Sequence, residues 1–428
     1  MYARLFTAAF IFYNISRVNK FNCELGENMT DLLMIADDLT GALDSGVALA
    51  KKGIATEVLV NADLNIENAV QNHRAVVVNT ATRHMDAEQA YCIVHSLCKK
   101  ASALKIPILY KKTDSALRGN IGAELEAVLD ATQENVLHFA PAFPKMNRFT
   151  KAGHQYIGDI PISESEFASD ILNPITDSYI PNIIAKQSDI PVLMQAEANR
   201  PQMIRLYNAK TDQELNAVAK TVFEQKKSVL AGCAGFAEAV ADVLKDETQD
   251  ENDASITTPL VVLCGSVHPV SKAQLNYAAE RGMKRFWITS AEVITPGYWD
   301  SEAGKALLQE IQAAVRQGTS VLAETSYYQE VISTEEKNRI AAELPLALGN
   351  LARQLLESEF TGTLVIFGGD MLGGFVNALG IQGIEPIREL KPGVVLASAT
   401  WNSNRINFVT KAGSFGDPDL LVDLAHME

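Results

Sequence analysis

LLMIADDLTGALDSGVALAKKGIATEVLV, residues 32–60, carries the pattern that decides the fold. The short apolar run Leu32 to Ala36 reads as a strand, and TGALDSGVALAKKG that follows has helical periodicity. Gly53 stops that helix after Lys51 and Lys52: cations in the last turn, then a residue that tolerates positive φ. IATEVLV (54–60), AVVVN (75–79), the helical DAEQAYCIVHSLCKKASALK (86–105) and PILYKK (107–112) continue the alternation. Repeated βαβ units predict an α/β protein with a mostly parallel sheet.

Working outward, DETQDENDAS at 246–255 carries five acidic residues and no large apolar one, which is the chemistry of a solvated linker. The domain boundary is placed there, giving domains at 29–245 and 256–428. The second repeats the style of the first: PLVVLC, a helix through SKAQLNYAAERG, KRFWIT, a helix in EAGKALLQEIQAAVRQG, SVLAE, a long helix near 334–358, and TLVIF. Stretches 141–210 and 381–416 are less periodic and rich in Pro, Gly and polar residues, so functional loops or a subsidiary β element are expected there. Residues 1–28 faintly imitate a signal peptide but lack a clean cleavage site, and Met29 stands directly before the first strand. Residues 1–28 are therefore read as an extension outside the mature protein.

The chain of 428 residues has room for two sizeable cores, and with 47% hydrophobic and 21% charged residues it has the composition of an ordinary globular protein. A formal charge of -15 argues against a phosphate-backbone groove and so against nucleic acid as partner. No apolar run is long enough to suggest a membrane span. Five scattered cysteines do not spell a disulfide framework, and a reducing cytoplasm is expected. Cys92, His95 and Cys98 stand three apart, but a packed helix is the reading preferred to a metal site, because no second ligand cluster accompanies them.

In open α/β sheets ligands bind beyond the carboxyl ends of strands. After the first strand come Asp37-Asp38 at a helix start, where one carboxylate can serve a site while the other braces a loop, or either can simply cap the helix. After PILYK come Lys112-Thr113-Asp114-Ser115-Ala116-Leu117-Arg118-Gly119-Asn120, a dense surface for a small polyhydroxylated anion, with Arg118 able to fork a carboxylate. A cap with an ion pair is the plainer alternative. Arg83, after AVVVN, adds a second cation to the same sheet edge. In the second half Gly265-Ser266, Gly368-Gly369-Asp370 followed by Gly373-Gly374, and Lys411-Ala412-Gly413-Ser414-Phe415-Gly416 are glycine-bearing loops. Their backbone N–H groups can approach phosphate oxygens, which suggests a nucleotide. The P-loop, the dinucleotide fingerprint, the nucleophile elbow and His-Glu-x-x-His are all absent, and no cluster of histidines has metal-ligand spacing.

ADDLTGALDSG (36–46), KKTDSALRGNIGAE (111–124) and APAFP (140–144) resemble the four-carbon acid sugar kinase family. Gly265-Ser266, Gly368-Gly369-Asp370 and KAGSFG (411–416) resemble that family's nucleotide-binding half, so the likeness runs from about Asp31 to the end. It implies two α/β domains around a central cleft and an ATP-dependent kinase acting on the terminal hydroxyl of threonate, erythronate or a 3-oxo-tetronate. Its substrate residues would be Asp38, Arg83, Lys112, Thr113, Asp114, Ser115 and Arg118. ATP would lie on Ser266, Gly368, Gly369, Asp370, Met371 and Gly413. Met371 departs from the pattern, since Thr or Ser commonly follows that GG-acidic triplet. A side-chain hydroxyl is lost there, while backbone N–H donation is not.

Phosphoryl transfer depends on positioning and charge neutralisation. Arg83 and Lys112 are expected to hold the acid sugar, Asp38 or Asp114 to accept the proton of the attacking hydroxyl with Asp38 preferred, and Asp370 to organise Mg²⁺ through water. The alternative is a sensor that binds nucleotide and acid sugar without catalysis, a reading prompted by Met371.

Overall fold

A computed structural model describes residues 30–64, 66–170, 173–194, 202–224, 229–245, 255–265, 268–325, 333–358, 360–413 and 415–427. The N-terminal extension and residues 246–254 of the acidic linker lie outside them, as do Ser266 and Ser414. The chain runs β1 (Leu32–Ala36), α1 (Leu39–Ala50), β2 (Thr56–Leu59), α2 (Ile66–Asn72), β3 (Ala75–Asn79), α3 (Ala87–Ala103), β4 (Ile108–Lys112), α4 (Ile121–Thr132) and β5 (Val136–Ala140). A small antiparallel sheet follows, β6 (Arg148–Lys151), β7 (His154–Ile157) and β8 (Ile160–Pro161). The first half is completed by α5 (Ile180–Ala185), β9 (Val192–Leu193), β10 (Met203–Leu206), α6 (Asp212–Glu224), β11 (Val229–Gly232) and α7 (Ala234–Leu244).

The second half begins with β12 (Leu260–Cys264), α8 (Pro269–Ala279), β13 (Lys284–Ile288), α9 (Ser290–Val293), α10 (Glu302–Arg316) and β14 (Val321–Thr325). It continues with α11 (Thr334–Glu357), β15 (Thr363–Phe367), α12 (Gly369–Leu379), β16 (Gly383–Lys391), β17 (Val394–Trp401), β18 (Asn404–Lys411) and α13 (Leu420–Ala425). The less periodic stretches thus hold the small sheet and the long antiparallel β16–β18 meander.

Local chemistry explains the best-read elements. All five residues of β1 are buried, as a strand covered by helices on both faces requires. Asp38 caps α1 by accepting from the Gly41 N–H at 3.2 Å, and Gly53 follows the helix with φ of 72°. Asp86 caps α3 in the same way, at 2.9 Å from the Gln89 N–H.

Both halves are mostly parallel, and one 15-stranded sheet joins them in the order β13-β14-β12-β15-β18-β17-β16-β2-β3-β1-β4-β11-β5-β10-β9. The join is antiparallel, with Gly383 opposite Leu59 and Ile384 opposite Val58. Helix α1 lies across it: a Cβ on Gly46 would come within 2.7 Å of Val58 and 3.0 Å of Pro386. Apolar packing is equally continuous, one cluster holding Met34 and Tyr110 together with Leu263 and Phe408. Among the described residues no helix is long and apolar enough to cross a membrane.

Candidate active site

Five parallel strands of the first half end in register. Asn79 of β3 is opposite Ala36 of β1, Ala36 opposite Lys112 of β4, Lys112 opposite Gly232 of β11, and Gly232 opposite Ala140 of β5. The chain builds β2 and β3 on one side of β1 and places β4 on the other, so the strand order reverses at β1 and a crevice opens there. Asp37-Asp38, Arg83 and the Lys112–Arg118 segment, read from sequence as separate strand ends, are brought to this one edge.

Their charges interlock. Arg83 donates from Nε to Asp37 Oδ2 at 2.7 Å, and from Nη2 to Asp37 Oδ1 at 3.1 Å and Asp38 Oδ1 at 2.6 Å. Arg118 forks Asp114 through Nε at 2.9 Å and Nη2 at 3.1 Å, and gives Nη1 to Asp170 at 3.1 Å. The carboxylate that Arg118 forks is therefore a neighbour four residues back. Burial would raise the Asp114 pKa, but Arg118, Arg83 and Lys112 outweigh it and hold this carboxyl well below its usual range. The same balance between burial and the cations Arg83, Lys111 and Lys112 keeps Asp37 low. Asp38 differs: its Oδ1 is engaged, whereas its Oδ2 takes no hydrogen bond among the described residues.

Strand alternation sends Lys111 and Lys112 to opposite faces. Lys111 is buried beneath the edge, 3.0 Å from Glu124 Oε2, and donates to the Lys112 carbonyl at 2.9 Å. Thr82, next to Arg83, donates to the other Glu124 oxygen. Burial raises the Glu124 pKa in spite of Lys111. Lys112 is buried too, yet its Nζ has no hydrogen bond or ion pair among the described residues. It lies against Gly41, where a Cβ would sit 2.3 Å from Nζ and 2.5 Å from Asp38 Oδ1, so a side chain there would push both groups aside. The Thr113 hydroxyl is likewise buried without a partner.

The second half has its own row of strand ends: Cys264 of β12 is opposite Phe367 of β15, and Phe367 opposite Lys411 of β18. Gly265, Gly368 and Gly413 follow these strands at one edge. Gly368, with φ of 100°, leads into α12, whose first turn has no side-chain cap, so the amides of Gly369, Asp370 and Met371 are left for an outside acceptor. Asp370 is exposed in that turn. Met371 points the other way: it is 4% exposed, and its sulfur would touch a Cβ on Gly265 at 3.1 Å. Its side chain belongs to the core, and only its backbone faces the loop. Gly374 is also misread as a phosphate glycine. A Cβ there would meet the Pro345 backbone at 2.1 Å, and one on Gly349 would meet the Gly374 carbonyl at 2.4 Å, so this glycine lets α12 cross α11 closely.

The two edges meet. Thr40 and Asp44 of α1 line one crevice with Gly368, Gly369 and Lys411. Three contributors escaped the sequence reading. Asp44 is half-buried on α1, a helix whose other residues are mostly buried; desolvation outweighs Lys112 and, with Asp38, Glu389 and Glu238 nearby, raises its pKa to about 7. Lys411 is buried at the end of β18, donates to Gly413 O at 3.0 Å and Ser271 Oγ at 3.2 Å, and burial lowers its pKa to about 8. Arg148 of β6 reaches the Ser115 hydroxyl from the aperiodic stretch. A charged residue on a buried helix face or at a buried strand end is the available signal for the first two. Cys92 is exposed on α3 and Cys98 buried, and no group of three His, Cys, Asp or Glu side chains placed to hold a metal is found among the described residues.

Two α/β halves, one with a charged polar strand-end edge and one with a glycine-lined edge, that meet at α1 define a two-substrate transferase architecture. Residues 32–240 match the family model of a sugar-binding N-terminal domain, and 261–421 that of a nucleotide-binding C-terminal domain. A D-threonate kinase of Salmonella typhimurium is 30% identical over 92% of this chain and 97% of its own. A D-erythronate kinase of Heliobacterium modesticaldum is 26% identical over 91% and 95%. A 3-oxo-tetronate kinase of Pseudomonas fluorescens is 27% identical over 90% and 94%. A Salmonella typhimurium crystal structure titled as a putative tRNA synthase superposes with a TM-score of 0.77 at 20% identity, covering 92% of this chain and 98% of that one, which shows the shared fold. The chain belongs to the four-carbon acid sugar kinase family, and it is a kinase.

Proposed function

We propose that this kinase transfers the γ-phosphoryl group of ATP to the terminal hydroxyl of a four-carbon acid sugar: threonate, erythronate or a 3-oxo-tetronate. The observation that supports the reading is the meeting of the two halves at helix α1, which Asp38 caps and whose Thr40 and Asp44 line one crevice with Gly368, Gly369 and Lys411. The relatives' names point the same way.

In this reading the acid sugar lies along Asp38, Lys112, Thr113 and Ser115, while Arg83, Asp114 and Arg118 form the charged frame that holds them. Asp38 is the base. Its Oδ2 takes no hydrogen bond among the described residues, whereas both Asp114 oxygens are engaged by Arg118 and that carboxyl is held well below its usual range, which makes it the poorer proton acceptor. Asp38 takes the hydroxyl proton as the sugar oxygen attacks phosphorus. The uncapped amides of α12 suit phosphate oxygens, with Gly413 and the Lys411 ammonium adding to the same seat; Ser266, outside the described residues, is part of the proposal from sequence alone. Exposed Asp370, in the same turn, suits a Mg²⁺ ion held through water, and that ion would neutralise phosphate charge. The domain division at 29–245 and 256–428 is part of the proposal, one half for each substrate.

The test is ATP consumption by the purified protein with Mg²⁺ against D- and L-threonate, D- and L-erythronate and the 3-oxo acids, with mass spectrometry of the products. A phosphotetronate is expected. Silence across the panel would remove the reading.

A further inference from the structure

We propose that Arg148, acting with Lys112, seats the carboxylate of the substrate; this deepens the acid-sugar reading and rests on it. The argument begins with which cations are already neutralised. Arg83 faces Asp37 and Asp38, Arg118 faces Asp114 and Asp170, and Lys111 faces Glu124. Among the described residues neither Lys112 nor Arg148 makes an ion pair: Lys112 acts on Asp37, Asp44 and Asp114 only from further off, so a carboxylate entering this edge finds two cations without a close counter-ion.

Arg148 is held ready for that contact. Its Nη1 donates to the Ser115 hydroxyl, which places the guanidinium on the loop that follows β4. Its plane lies over the Phe167 ring, 5.1 to 5.2 Å from ring centroid to guanidinium carbon for Arg118 and Arg148 in turn. Its Nε is buried without a hydrogen-bond partner, a donor left over in a polar setting. The backbone beneath it is pinned: Phe143 N donates to Arg148 O at 2.8 Å, and Arg148 N to Phe143 O at 3.1 Å. Gln155 of β7 ties the small sheet to the loop by donating to Ser115 O at 3.1 Å and Pro141 O at 3.3 Å. The Ser115 hydroxyl that holds Arg148 stands three residues after Lys112, on the loop that leaves the end of β4. A planar fork and a point charge on one seat suit a carboxylate better than a neutral hydroxyl.

The small sheet β6–β8 thereby acquires a role in specificity: it delivers the cation that distinguishes a tetronate from the uncharged tetritol or tetronamide of the same length. The experiment compares wild type, Arg148→Gln and Arg148→Lys with whichever tetronate wild type turns over, with its amide and tetritol, and with ATP. For Arg148→Gln a rise in KM for the acid on the order of 100-fold is expected, with KM for ATP unmoved and the preference for acid over amide collapsed. Arg148→Lys keeps the charge and should recover part of the loss. An acid KM that stays put in Arg148→Gln, or an equal rise for acid and amide, would overturn the proposal while leaving the kinase reading intact. Should Arg148→Gln fail to fold, the wild-type comparison decides: equal KM for tetronate and tetronamide overturns it. Wild-type silence on every tetronate removes both.

Discussion

The hydroxyl of Thr40 occupies the space into which a side chain on Gly369 would grow: a Cβ there would lie 2.2 Å from Thr40 Oγ1. The first turn of α1, which Asp38 caps, is thus in direct contact with the first turn of α12, which Gly368 opens. The constraint on this glycine is therefore steric rather than conformational, and in the proposed reading the contact helps set the distance between the two substrates.

Gly369→Ala should therefore lower kcat/KM by at least 10-fold even though alanine is the better helix former. Thr40→Ser leaves the hydroxyl in place and should not rescue it. The double variant Thr40→Gly/Gly369→Ala should recover most of the loss, an interaction that steady-state kinetics on the four proteins will measure. Additive losses would contradict a shared contact.

Asp38→Asn and Asp114→Asn should fail differently. The first is expected to reduce kcat by about 10²- to 10⁴-fold with little change in acid-sugar affinity, because it removes the proton acceptor. The second leaves Arg118 and Arg83 short of a buried counter-charge and should lower stability by about 3 kcal/mol. Calorimetric titration and denaturant melts separate the two; near-wild-type turnover in Asp38→Asn would refute the assignment of the base.

Asp44 predicts a pH signature. Its folded-state pKa, about 7, is above the ordinary 3.8, so between those values the folded protein holds a proton that the unfolded chain has released. Stability should fall as pH rises through that window and level off above it. Asp44→Asn removes the penalty, and should gain on the order of 2 kcal/mol at pH 8 but nothing at pH 3.5. Equal shifts at both pH values in thermal melts would show that Asp44 is not the titrating group.

Lys411 predicts the opposite flank. Burial lowers its pKa to about 8, so without nucleotide its charge is lost as pH rises through that value. If the ammonium helps seat the phosphates, the apparent KM for ATP should climb above pH 8. Lys411→Arg, charged throughout, should flatten the climb. A pH-independent KM for ATP in wild type would exclude the role.

Much of this was legible because local rules were obeyed. Strand β1 is an unbroken apolar run since helices cover both its faces, and Asp38, Asp86 and Gly53 sit where helix ends ask for such residues. Because parallel strands present their carboxyl ends to one edge, Asp37, Asp38, Arg83 and Lys112–Arg118 could be assigned to a common site from order alone. The glycine after β15 could be marked as a helix-opening turn for the same reason. Gly374 could not be told from it, because helix packing and phosphate approach ask for the same missing side chain.

Only tertiary structure decided which charges remain available. Arg83, Arg118, Lys112 and Arg148 look alike in sequence, and pairing with Asp37, Asp114 and Asp170 depends on side chains that meet across as many as 52 positions. The pairing of β2 with β16 likewise joins residues near 58 to residues near 384, a contact for which no local periodicity exists. Sequence determined the elements and the chemistry at their ends, because propensity, capping and burial act over a few residues. Structure decided the continuous sheet, the closeness of Thr40 to Gly369 and which cations, Lys112 and Arg148, are left without an ion pair among the described residues, because these arise from long-range packing, in which burial and charge compete across the whole chain.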